Sequence, residues 1–190
     1  MDIGKYILVS DDFLPKDIHA SLLEYMKGYH CKWEVALIIG KDAPTKDDKI
    51  RKNQIKYLNN YKSDMTTARW NNLLGYLFNK GLFGYQQQLN IDIMSSEINE
   101  IHLLKYTEGG FYDWHVDHSK KAPRMMSIIL FINDDYEGGG LRFRKNQSDE
   151  GWLAEPKANR IVMWPSNFMY AHKVEPVKKG TRYSCVSWAI

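Results

Sequence analysis

Apolar positions in the first eighty residues recur at helical spacing in two places. The stretch PKDIHASLLEYMKG opens on Pro15, which suits a first helical position, and carries Ile18, Leu22, Leu23 and Met26 on roughly one face. In SDMTTARWNNLLGYLFNKG, residues Trp70, Leu73, Leu74 and Leu77 follow an i, i+3, i+4, i+7 pattern; Ser63 or Asp64 can cap its start and Gly81 can end it. Between these helices WEVALIIG reads as a strand, and the polar, charged segment KDAPTKDDKIRKN (41–53) predicts a mobile loop. From about residue 90 the pattern changes to short strand-like runs: INEIHLLKY, FYDWHVD, MMSIILFIN, GLRFR, NRIVMWP and TRYSCVSWAI. Turn sequences such as NDDYEGGG and EPKAN separate them, with Gly138, Gly139 and Gly140 expected to serve a turn or bulge. Helices first and many strands afterward predict a mainly β fold with α, a sandwich or jelly roll with a helical layer against one sheet. No repeat, low-complexity tract or linker interrupts the chain, so a single domain over 1–190 is expected. Its helical support covers about 1–90 and its jelly roll about 91–190.

Composition narrows the class without deciding it. A chain of 190 residues, 44% hydrophobic and 26% charged, can bury a sizeable core without staples. The excess of 26 basic over 23 acidic side chains is too mild to call for nucleic acid. The short basic runs around Lys120, Lys121 and Arg124, and around Arg142, Arg144 and Lys145, read as solvated faces. The two cysteines, Cys31 and Cys185, form no framework or Cys-x-x-Cys pair, and Cys185 falls among alternating apolar residues as a small core side chain. The start lacks a signal-peptide apolar segment and nothing later approaches a membrane span, so a reducing cytoplasm is the expected setting. That setting suits a ferrous metal.

Candidate chemistry concentrates in KYTEGGFYDWHVDH, residues 105–118. His115 and Asp117 are two apart, and on an extended strand that spacing places both on one face. They can be two corners of a metal site or an ordinary hydrogen-bonded surface pair. His118 alternates away from Asp117 and is expected to be exposed, while His102 has the parity of a core or sheet-face residue. Near the end of the chain His172 lies on a strand-like segment, followed ten residues later by Arg182. Arg182, Ser184, Val186 and Trp188 alternate along the last strand and share a face. A third metal-ligand type, followed by a planar guanidinium that can grip a carboxylate, supplies what His-x-Asp alone lacks.

Together these residues resemble the iron(II)- and 2-oxoglutarate-dependent oxygenase superfamily, in its prolyl/lysyl hydroxylase-like, prolyl 4-hydroxylase-like group. The family pattern Tyr-x-x-Gly-x-x-Tyr-x-x-His-x-Asp is matched by Tyr106, Gly109, Tyr112, His115 and Asp117. SIILFIN and DDYEGGGLRF match the strand and glycine-rich turn that follow, and His172, Arg182 and Ser184 match the distal His and Arg-x-Ser. The likeness covers roughly residues 100–190. It implies a double-stranded β-helix (cupin-like jelly roll) with N-terminal helices packed on one sheet. It further implies an Fe(II) site at His115, Asp117 and His172, and a 2-oxoglutarate site at Arg182, Tyr106 and Ser184. Dioxygen is the other implied co-substrate, with ascorbate a candidate reductant. Tyr112 and Trp188 are candidates for the substrate side, and the carboxylate of Asp117 departs from the family's halogenases.

The implied reaction couples oxidative decarboxylation of 2-oxoglutarate to C–H hydroxylation, with a prolyl residue of a peptide or protein as the leading substrate. A small molecule, a free amino acid, a lysyl residue and a nucleobase stay open, as does a jelly-roll binding module without turnover. One position departs from the family. Where its prolyl hydroxylases often carry a tyrosine hydroxyl reaching the far carboxylate of 2-oxoglutarate, this chain has Phe131. The missing donor must then come from Tyr106, Ser184 or water.

Overall fold

Two antiparallel sheets face each other in the computed structural model, which describes residues 3–39, 44–59, 64–91, 97–144 and 151–190. The larger sheet has the order β1 (Leu8–Ser10), β13 (Arg160–Pro165), β9 (Met126–Phe131), β16 (Arg182–Ala189), β7 (Ile98–Tyr106), β6 (Gln54–Tyr57) and β2 (Glu34–Val35). The smaller runs β12 (Leu153–Ala154), β11 (Leu141–Phe143), β14 (His172–Val174), β8 (Phe111–His115) and β5 (Arg51–Lys52). Two short ladders join β10 (Glu137–Gly138) to β15 (Val177–Lys179) and β3 (Ile38–Ile39) to β4 (Pro44–Thr45). This is the expected double-stranded β-helix. Its sheets also take β1, β2, β5 and β6 from the first half of the chain, so strands enter well before residue 91.

Period-two alternation sorts the large sheet's side chains into two cores. On β16, Tyr183, Cys185 and Ala189 face one way, while Val186 and Trp188 face the other. On β9 Met126, Ile128 and Leu130 join the first set, whereas Ile129 and Phe131 join the second. The first core is closed by Leu22 and Met26 of helix α1 (Lys16–Lys27) and by Trp70, Leu74, Phe78, Leu82 and Tyr85 of helix α2 (Met65–Leu89). The second lies between the sheets, where Leu141, Phe143, Ala154 and Val174 meet Val162, Trp164, Ile129 and Phe131. Burial on both faces is why β9 reads as a nearly continuous apolar run. No helix among the described residues is long and apolar enough to cross a membrane.

Several local expectations are corrected. Helix α2 does not stop at Gly81. It continues to Leu89 and closes on Asn90 in the left-handed conformation. Gly81 sits where the helix crosses the sheet: a Cβ there would lie 2.5 Å from Met163 Cε and 3.1 Å from Phe13 Cε2. The missing side chain serves close packing, which outweighs a propensity cost of about 1 kcal/mol. Asp64 is the N-cap, accepting from Thr67 N at 2.6 Å, while Ser63 lies outside the described residues. Pro15 occupies the N-cap and not the first helical turn, its carbonyl accepting from His19 N at 2.9 Å. WEVALIIG divides into β2 and β3 around Ala36 and Leu37, with Gly40 outside the described residues. Of the segment 41–53, residues 41–43 lie outside them too; the remainder forms β4, a turn and β5, which pairs with β8.

Candidate active site

The ladder between β8 and β14 sets His172 directly opposite His115 across the strands, with ring centroids 4.2 Å apart. His115 is the last residue of β8 and His172 the first of β14, so both rings stand at one end of the small sheet. Asp117 lies two residues past the strand end, where the chain bends, and its buried carboxylate turns back between the rings. Oδ1 of Asp117 is 3.7 Å from His115 Nε2, and Oδ2 is 3.5 Å from His172 Nε2. One ligand atom from each residue falls within 4.8 Å of the others.

The second nitrogen of each ring decides what the first can do. His115 Nδ1 lies 2.8 Å from Asp113 O and His172 Nδ1 lies 2.9 Å from Tyr170 O. A carbonyl only accepts, so each Nδ1 carries the proton and donates it, leaving the Nε2 lone pairs free toward Asp117. Burial, reinforced by the neighbouring His172, pushes the His115 pKa down to about 3 and keeps that ring neutral. Burial alone would raise the Asp117 pKa, but the two imidazoles and the Ser127 hydroxyl outweigh it and hold the carboxylate ionised. Ser127 Oγ donates to Asp117 Oδ2 at 2.7 Å, and Ser166 Oγ, also 2.7 Å away, then donates to Ser127. Two neutral imidazoles and one carboxylate, each oriented from behind, suit a divalent first-row metal such as iron(II).

At the opposite end of the same interior, β16 pairs Arg182 with Tyr106 of β7 and Ser184 with Phe131 of β9. Arg182 is fully buried, its Cζ 4.8 Å from the Tyr106 ring centre and 5.0 Å from that of Phe131. None of its three side-chain nitrogens has a hydrogen-bond partner among the described residues, nor do the buried hydroxyls of Tyr106 and Ser184. A buried guanidinium without an anion is unfavourable by several kcal/mol (order of magnitude), so the chemistry of this cluster suits a carboxylate.

A cavity of about 310 Å³ opens beside the histidines, lined by Tyr112, Tyr106, His102, Arg124, Arg51 and Trp188 among others. Arg182 and Ser184 do not line it; the Arg182 guanidinium packs over the Tyr106 ring, which does. Tyr112 stacks on His115 at 3.7 Å, and the Arg51 guanidinium lies over the Tyr112 ring at 4.6 Å from its centre. Trp188 carries Arg124 at 3.5 Å. Arg124 is therefore no plain solvated charge: Nη2 also binds Glu100 Oε2 at 3.0 Å. His118 is exposed and bonds Arg124 O through Nδ1. Sequence reasoning left His102 without a partner and passed over Glu100, Ser127 and Arg51. For the first two the signal was present, since residues 100, 102, 104 and 106 share the parity of Tyr106 on one strand.

Residues 101–190 match the family model of the 2OG-Fe(II) oxygenase superfamily. A PKHD-type hydroxylase of Synechococcus sp. (strain CC9605) is 34% identical over 100 residues, 49% of this chain and 44% of that protein. Another, from Pseudomonas fluorescens, is 35% identical over 95 residues, 44% of this chain and 39% of that one. The chain thus spans less than half the length of these curated relatives. Among solved structures, a Pseudomonas putida prolyl-4-hydroxylase superposes with a TM-score of 0.69 at 22% identity, over 96% of this chain and 91% of its own. A Trichoplax adhaerens prolyl hydroxylase in complex with a hypoxia inducible factor peptide fragment gives 0.70 at 14% identity, over 98% and 84%. The likeness of residues 101–190 is thus to 2OG-Fe(II) oxygenases, and the fold is shared with prolyl hydroxylases.

Proposed function

We propose that the chain, acting as one domain over 1–190, is an Fe(II)- and 2-oxoglutarate-dependent dioxygenase that hydroxylates a prolyl residue in a peptide or protein. The observation that carries this reading is the pairing, inside one fold, of a His–Asp–His cluster with a buried, uncompensated guanidinium. One suits a ferrous ion and the other suits the distal carboxylate of its co-substrate. Bound iron and 2-oxoglutarate supply the oxidising chemistry: 2-oxoglutarate, dioxygen and R–H become succinate, carbon dioxide and R–OH.

In this reading His115, Asp117 and His172 hold the metal, leaving its remaining positions for 2-oxoglutarate and dioxygen. Arg182 takes the distal carboxylate, with Ser184 as a hydroxyl donor to it, and Tyr106 hydrogen-bonds the co-substrate. Tyr112 and Trp188 form the substrate side of the cavity and keep water from the reacting carbon. The proline assignment is supported by the prolyl hydroxylases among the structural neighbours and by an aromatic cavity of about 310 Å³, which suits a small apolar ring.

Anaerobic addition of Fe(II) and then 2-oxoglutarate tests the site. A visible charge-transfer band in the wild type, absent in His172→Ala, is expected. Admitting air with a proline-containing peptide library is then expected to yield succinate and a peptide heavier by one oxygen. Succinate formation without any hydroxylated peptide would sink the prolyl assignment alone.

A further inference from the structure

Phe131 leaves the carboxylate receptor without the phenol that related hydroxylases place there. Phe131 presents only an apolar ring to the Arg182 guanidinium. A carboxylate offers about four lone-pair sites, of which a guanidinium fork covers two. A second buried phenol does stand beside this guanidinium. Tyr136 lies in the turn between β9 and β10, and its hydroxyl is buried without a partner among the described residues. The ladder of β10 with β15, shifted in register between Glu137 and Gly138, folds that turn back over the start of β16. Gly139 has φ +66°, and a Cβ there would lie 2.9 Å from Arg182 Cδ and 3.0 Å from Tyr136 Cε2. The absent side chain is what lets the tyrosine ring and the arginine stem lie together. Burial raises the Tyr136 pKa more than the Arg182 charge lowers it, to about 12, so the phenol remains a proton donor.

The Tyr136 phenol and the Arg182 guanidinium are neighbours that interact with each other, and the phenol's own proton has no acceptor among the described residues. Two buried donors that converge on no carboxylate or carbonyl define a place for an acceptor. We infer that Tyr136 donates its hydroxyl proton to the distal carboxylate of 2-oxoglutarate, doing from the turn what Phe131 cannot do from the strand. This rests on the co-substrate assignment above. It makes Tyr136 a binding residue for one end of the co-substrate, with no contact to its keto end.

That asymmetry is the test. The anaerobic Fe(II) protein is titrated with 2-oxoglutarate and with 2-oxobutanoate, which keeps the keto acid and lacks the distal carboxylate, following the charge-transfer band. Tyr136→Phe is expected to weaken 2-oxoglutarate by roughly 10- to 100-fold, the loss of one hydrogen bond to a charged group. Its affinity for 2-oxobutanoate is expected to be unchanged. Equal affinities for 2-oxoglutarate in wild type and variant, or equal weakening of both ligands, overturn the role of Tyr136 while leaving the co-substrate assignment standing. A wild type that binds Fe(II) but gives no band overturns both. Should Tyr136→Phe fold poorly, 3-fluorotyrosine in place of Tyr136 preserves the phenol and reports by its ¹⁹F resonance. A shift with 2-oxoglutarate and none with 2-oxobutanoate supports the role; the same response to both, or none, overturns it.

Discussion

Replacing Arg182 by methionine separates stability from binding. The guanidinium is fully buried, with no anion among the described residues; the rings of Tyr106 and Phe131 face its charge, and the neutral Tyr136 phenol lies beside it. Burying an unpaired ion costs several kcal/mol after relaxation, as an order of magnitude. Each aromatic contact at about 5 Å returns roughly 1–2 kcal/mol in a dry site. A net penalty of about 1–3 kcal/mol remains. Methionine has a similar length, adapts to irregular space and brings no charge, so it removes the penalty without opening a large cavity. For a chain of this size 1 kcal/mol moves Tm by about 2–4 °C, so Arg182→Met is expected to melt about 2–12 °C above the wild type when no 2-oxoglutarate is present. The assay is thermal unfolding with a redox-inert divalent metal, with and without the keto acid. At about 100 times its Kd, 2-oxoglutarate is expected to stabilise the wild type by roughly 2.7 kcal/mol and the variant not at all, narrowing or reversing the order. A variant that melts lower than the wild type in the absence of ligand would refute the reasoning, because the charge would then be compensated within the protein.

Three further outcomes are expected. Ser127→Ala removes the hydroxyl that donates to Asp117 at 2.7 Å, and is expected to weaken divalent-metal affinity by about 10- to 100-fold; an unchanged titration would remove Ser127 from the site. Burial, with Arg124 and Arg51 adding to it, lowers the His102 pKa to about 3, and Glu100 at 3.6 Å is already engaged by Arg124. Between that value and about 6.5 the unfolded chain binds the extra proton, so stability is full above pH 6.5 and falls on acidification by up to about 1.4 kcal/mol per pH unit. His102→Leu, which keeps an apolar contact with Tyr57 and Trp188, should flatten the denaturation midpoint in that window; a slope identical to wild type would contradict this. Leu130→Ala, at a fully buried position between α2 and β9's neighbours, is expected to cost about 2–5 kcal/mol, read as a lowered urea midpoint.

Much of this protein was legible along the chain because its signals are local. Alternation on β16 turned Arg182, Ser184 and Trp188 to one face before any partner strand was known. Asp64 as a cap and the turn role of the triple glycine followed from side-chain and backbone chemistry within a few residues. The residue types at 115, 117 and 172 announced a divalent-metal chemistry by their ligand atoms and spacing.

Long-range contact decided the remainder. Gly81 reads as a stop by propensity, but the helix continues because Met163 and Phe13 need the space a side chain would fill. Tyr136 reads as a turn residue, and only the fold of β10 onto β15 brings its phenol to Arg182, forty-six positions away. Ser127 acquires a role because strand register sets it beside Trp188 while the bend after β8 returns Asp117 to it. His115 and His172 are chemically suggestive apart; they become a site because antiparallel register pairs them across β8 and β14. Residue type and period are written in neighbouring positions, so sequence determined the candidate ligands and the faces. Register and close approach depend on which strands meet, and only the tertiary structure determined those.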